Sequence, residues 1–234
     1  MTTEPREITD LIAALDHPDK PTIRAAVDKL IALAETSETL RQALHSRLSE
    51  AGHRNYWPVA YILGHQARPS GLVIRTLLDA LDHRAPDIRW ANGLLLVRIA
   101  QQESAVIPLL IELCATVSAN QKRMALYCLR DLALNDAESR LAMLTALDDK
   151  EPTVRVAAAT SLKVRTDVDT AVRQKLLATY LHDADDRVKN VIAVTLASLG
   201  SPDEEFMRAL NEASLNGNGQ IKKSADSALK MLQK

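Results

Sequence analysis

Large apolar residues fall into columns when the chain is laid out on a period of about 33 residues. One column reads Leu44, Leu77, Leu110, Met143, Leu177 and Leu210, and four residues further on stand Leu48, Leu81, Cys114, Leu147 and Leu181. That spacing puts both columns on one face of a helix, helix A of a repeating unit. A second set, Ile31, Leu63, Leu96, Leu129, Leu162, Leu196 and Leu229, is preceded on the same face by Val27, Val59, Ala125, Ala158, Ile192 and Ala225, and defines helix B. Seven residues before this set runs a column of cations, Arg24, Arg89, Lys122, Arg155, Lys189 and Lys222, with Tyr56 in the remaining slot.

Polar residues punctuate the columns. Between A and B stand Asp16-His17-Pro18-Asp19, Asp82-His83-Arg84-Ala85-Pro86, Asp148-Asp149-Lys150-Glu151-Pro152 and Asp183-Ala184-Asp185-Asp186. Proline in the first helical turn gives up only an N–H that has no partner there, and Asp ahead of it can cap the free donors. Ser37, Ser70, Ser104, Ser118 and Ser201 precede apolar helical patterns and read as caps. Ser201-Pro202-Asp203-Glu204 forms a capping box, and Gly200 can end the helix before it. The expected fold is all-α: a right-handed α-solenoid of about seven helical hairpins in one domain over 1–234, with repeats near 4–35, 37–67, 70–102, 104–134, 136–166, 168–200 and 201–234.

Composition agrees, with 47% apolar residues for a core and only 3% aromatic residues. A net charge of −1 supplies no global field toward nucleic acid or an anionic membrane. The N-terminus lacks the basic and apolar regions of a secretory signal, and no apolar run reaches membrane-span length, so a cytoplasmic protein is expected. Cys114 and Cys128 are read as reduced.

The turn followed by the start of helix B, as in Pro86-Asp87-Ile88-Arg89-Trp90-Ala91, Pro152-Thr153-Val154-Arg155-Val156-Ala157 and Ile23-Arg24-Ala25-Ala26, resembles the HEAT repeat family, in particular bacterial HEAT-like units also found in phycobilin lyase subunits. The resemblance spans the whole chain and implies an armadillo-like helical scaffold. It also implies that the column cations bond to turn acids and carbonyls along the stack, with Asp82, Asp148 and Asp183 as the acids at hand.

Positions one, five and eight residues after each cation should share an outward face of helix B. In repeats two to four this face gathers Trp57, Tyr61, Trp90, Leu94, Arg123, Tyr127 and Arg130, in a chain with very few aromatic residues. Aromatic residues and Arg dominate interface hot spots because they bury much area per rotamer lost. A partner-binding groove is therefore expected on the concave B-helix face of repeats two to four, flanked by Arg98 and His65, with Arg123 able to stack on Trp90. If instead both indoles pack fully between B helices, the groove loses its basis.

No catalytic, metal or cofactor motif accompanies these columns. His17, His45, His53, His65, His83 and His182 make no close ligand pair, and His17, His83 and His182 read as turn residues. The His-Glu dipeptides of HEAT-fold di-iron hydroxylases are missing. Polar terminal repeats, with Asp28, Lys29 and Glu35 at one end and Lys222, Lys223, Asp226, Lys230 and Lys234 at the other, suit end caps, and the 216–219 link should pack loosely. The expected protein is a non-catalytic scaffold without cofactor, a monomer on its own, whose partner is a protein or peptide and not a membrane. Two alternatives rank behind it: nucleic-acid binding through Lys122, Arg123, Arg130, Lys163, Arg165, Lys189, Lys222 and Lys223, and a chromophore-handling subunit.

Overall fold

The structure, a computed structural model, describes residues 5–50, 56–116, 118–200 and 204–233. His53, Lys234 and residues 201–203 of the expected capping box lie outside them. Among the described residues the regular structure is entirely helical. The helices run α1 (Pro5–Ala14), α2 (Lys20–Thr36), α3 (Glu38–Glu50), α4 (Trp57–Gly64), α5 (Gly71–Asp79), a 3-10 turn (Ala80–Asp82) and α6 (Pro86–Gln102). They continue as α7 (Val106–Leu113), α8 (Ala119–Asp131), α9 (Ala137–Ala146), α10 (Pro152–Leu162), α11 (Thr170–His182), α12 (Asp186–Ser198), α13 (Glu204–Asn216) and α14 (Gly219–Leu232). No helix is long and apolar enough to cross a membrane among the described residues.

The chain divides into two compact units, Met1–Val106 and Ile107–Lys234. In the first, α4 packs on both α2 and α6. In the second, α10 packs on α8 and α12, and α12 on α14. Within each unit B helix therefore stacks on B helix, the arrangement of a helical-repeat solenoid. The apolar columns make the core: Leu44, Leu48, Leu63, Leu77, Leu81 and Leu96 are fully buried in the first unit, and Leu110, Leu129, Met143 and Leu162 in the second.

The cation column is part of this frame. Arg89 Nη1 donates to the carbonyls of His83 and Arg84 at 2.6 and 3.2 Å, and Arg155 Nη1 to those of Asp149 and Lys150 at 2.8 and 3.3 Å. For Arg155 and Lys122 the acid comes from the following repeat. Arg155 holds both oxygens of Asp183 at 2.7 Å, and Lys122 reaches Asp149 at 2.6 Å. Asp148 pairs instead with Lys175 of α11. In the repeat without a cation, the Tyr56 hydroxyl bonds with Arg47 and Asp16.

Turn chemistry repeats with interchangeable side chains. His17 Nδ1 accepts from the Asp19 N–H and His83 Nδ1 from that of Ala85, both at 3.0 Å. Asp149 and Asp183 accept from the N–H two residues on, both at 2.8 Å. An imidazole and a carboxylate thus do the same work. Ser37, Ser70 and Ser118 accept capping bonds, as do Asp19, Asp136, Asp169, Asp185 and Asn218. The helices that open with Pro86 and Pro152 have no side-chain cap at the preceding residue; that residue instead donates its own N–H to His83 or Asp149, two positions before it. Gly200, at φ 68°, ends α12 in the left-handed region that favours glycine.

The 216–219 link departs from expectation. Asn218 caps α14 and donates to Asp186 at 2.8 Å, and a Cβ on Gly217 would lie 2.3 Å from the Ala213 carbonyl oxygen. The link is short and tied down, because its Asn and Gly residues close a helix-to-helix turn.

Candidate functional site

The anchor position is the fourth or fifth residue of the B helix in six repeats, but α4 begins one residue after it. Trp57 is consequently the first residue of α4. It is half-buried, and Tyr61 lies one turn further along the same face. With Val27, Asp28, Asp87 and Ile88 these two rings line a cavity of about 300 Å³ between α2, α4 and α6, at the small end of the range for ligand pockets.

Charge closes one side of this cavity. Lys20 pairs with Asp87 at 3.1 Å, and Arg24 pairs with the other oxygen of the same carboxylate. Bonding to Lys20 holds the Asp87 carboxyl below the usual range. Asp28, also on the lining, makes no ion pair among the described residues. Behind the rings, Trp57 meets His83 edge to face with centroids 6.3 Å apart, and Tyr61 meets His65 at 4.8 Å. Burial pushes the Tyr61 hydroxyl up and the His65 and His83 imidazoles down.

Trp90 and Leu94 stand one turn apart on α6, with 41% and 61% of their surfaces exposed. Neither is core. Both indoles have thus escaped the full burial between B helices that would have removed the basis for a groove. Arg98 is exposed and its Nη2 reaches the Gly64 carbonyl at 3.4 Å.

Arg123, Tyr127 and Arg130 belong to α8 in the second unit. Arg130 lies over the Tyr127 ring at 4.9 Å and pairs with Asp131 at 2.7 Å. Arg123 is half-buried, with its Nε enclosed and without a hydrogen-bond partner. Trp90, the ring on which Arg123 was expected to stack, belongs to the first unit.

The eighth position does not share the outward face in every repeat. Gly64, Val97 and Ala197 are buried there. A Cβ on Gly64 would lie 2.8 Å from Leu95 and 3.0 Å from Leu77, so glycine answers close packing. The eighth position lies within about 20° of the first around the helix, so its burial comes from how closely the neighbouring helices approach at that level and not from rotation off the face.

Cavities in the second unit also lie outside the aromatic column. One, of about 650 Å³, is lined by Ile111, Cys114, Leu141 and Ala142, with the Lys122–Asp149 pair at its edge. Leu141, 64% exposed and two positions from both Ser139 and Met143 in the buried register of α9, is the sequence signal for it. Another opens among α10, α12 and α14. Burial pushes the Cys114 and Cys128 thiols up to about 12, away from the thiolate form. Among the described residues no three His, Cys, Asp or Glu side chains gather into a metal-binding group.

No protein-family model matches the chain, and no curated protein matches it. Solved structures do resemble it. A designed armadillo repeat protein in complex with the peptide (KR)4 is 19% identical, with 97% of this chain and 99% of that chain covered and a TM-score of 0.49. An engineered protein is 17% identical over 97% and 98% of the two chains at 0.48. Human deoxyhypusine hydroxylase in complex with glycerol is 16% identical over 97% and 96% at 0.45. At these identities and scores the likenesses assign neither family nor function.

Proposed function

We propose that this protein is a non-catalytic, HEAT-like scaffold that binds a protein or peptide partner along the outward face of its B helices. Trp57, Tyr61, Trp90 and Leu94 anchor the partner on the first unit, and Arg123, Tyr127 and Arg130 supply the corresponding surface of α8. The observation that carries the reading is the placement of the indoles. Trp57 lines an open cavity with Tyr61, and Trp90 is two-fifths exposed beside a more exposed Leu94. Large aromatic side chains left accessible on a rigid helical stack bury much area at small entropic cost when a partner arrives.

Affinity capture with the full chain tests this. The native protein should retain a partner that the Trp57→Ala/Trp90→Ala variant loses, with a deficit of about 2 kcal/mol or more in measured affinity. Equal binding by both proteins would remove the aromatic face from the interaction.

A further inference from the structure

Past the aromatic repeats, the same face of α10, α12 and α14 changes character. Lys163, Lys223 and Lys230 are exposed on it, none makes an ion pair among the described residues, and no acid accompanies them. The nearby acids are engaged elsewhere: Asp183 with Arg155, Asp185 with Arg187, Asp186 with Asn218 and Asp226 with Ser214. A cavity of about 420 Å³ opens on this face. Lys163 of the α10 end and Lys223 of α14 approach it from the helices on either side of α12, which contributes Val191 and Val194.

Hydrogen bonding sharpens the chemistry. The hydroxyls of Thr160, Ser224 and Ser227 donate to the carbonyls of Val156, Asn190 and Lys223 at 2.7, 2.9 and 2.8 Å. Their protons are used up on backbone, so the donors left for a ligand are the two ammonium groups and the side-chain amides of Asn190 and Gln220. The groove therefore offers cationic donors beside an aliphatic strip.

We propose that this groove takes an acidic peptide segment of the partner, in which carboxylates alternate with short aliphatic side chains. Lys163 and Lys223 meet the carboxylates, and Val191 and Val194 meet the aliphatic groups between them. Nucleic acid fits less well: no arginine or aromatic side chain lines the cavity to grip phosphate bidentately or stack on a base, and the chain carries a net charge of −1.

The proposal rests on the peptide-scaffold reading and names the charge of the peptide. Fluorescence anisotropy of a labelled Glu-Val repeat peptide with the full chain at low salt should show binding that weakens about tenfold in Lys163→Glu/Lys223→Glu. Arg208→Glu, at an exposed arginine on the A helix α13, should bind as the native chain does, and a Lys-Val repeat peptide should not bind. Unchanged affinity in the double variant, or tighter binding of single-stranded oligothymidylate than of the acidic peptide, overturns the proposal. If capture through Trp57 and Trp90 persists while the Glu-Val peptide fails to bind, only the charge assignment falls; if both fail, the scaffold reading falls with it.

Discussion

Arg155 and Arg187 show how differently two ion pairs of similar geometry contribute. Both hold an aspartate at 2.7 Å, but the Arg155 and Asp183 side chains are 14% and 3% exposed, whereas Arg187 is 65% exposed. Arg155→Ala strands a buried carboxylate and two turn carbonyls, and should destabilise the protein by roughly 3 kcal/mol in denaturant titration. Arg187→Ala should leave the denaturation midpoint where it is. The cation column was legible in the sequence because its spacing is local to each repeat. Its partners were legible only in part: Asp183 meets Arg155 as expected, but Asp148 goes to Lys175, Asp149 stands beside Lys122, and Arg24 reaches past the second repeat to Asp87.

At the scale of the element, helices were readable because a face with a 3.6-residue period leaves a strong trace in the chain. Their exact orientation was less so. On α6 the structure exposes Trp90 and Leu94 and buries Leu95 and Leu96. Leu96→Ala should accordingly cost about 2–5 kcal/mol, and Trp90→Ala clearly less than that, both read as thermal midpoints. A comparable loss at Trp90 would mean that its indole packs as core. The late start of α4 was signalled by Pro58, a residue that suits only the first turn of a helix, and it places Trp57 at the head of its helix. The outward position of the first two column residues was predictable, whereas the burial of Gly64, Val97 and Ala197 depends on how closely neighbouring B helices approach.

Across the whole molecule, the two units should answer acid in different ranges. In the first, burial depresses His83, whose Nδ1 accepts the Ala85 N–H, and His65. Their folded values lie below the unfolded value of about 6.5, so the unfolded chain binds more protons between the two and stability falls as pH drops through that window. In the second unit, burial works against Asp149 and Asp183, but bonds from Lys122 and Arg155 outweigh it and hold both carboxyls low. Their contribution is present above about 3.9 and lost as pH falls below it. Both tryptophans lie in the first unit, so the melting midpoint read by indole fluorescence should fall between about pH 7.5 and about pH 5.5, each about a unit from the unfolded histidine value. His65→Asn/His83→Asn should flatten that response, and a flat native profile would contradict it. A different asymmetry follows from the bonds of Lys20 and Arg24 to Asp87, which join the first repeat to the third across α4. Among the described residues, the ion pairs between later repeats run from one hairpin to the next, as from Lys122 to Asp149 and Arg155 to Asp183. An engineer could therefore lengthen the chain by copying the fifth hairpin in tandem, each copy bringing its own donor and acceptor, whereas the first three hairpins would have to be transplanted as a block.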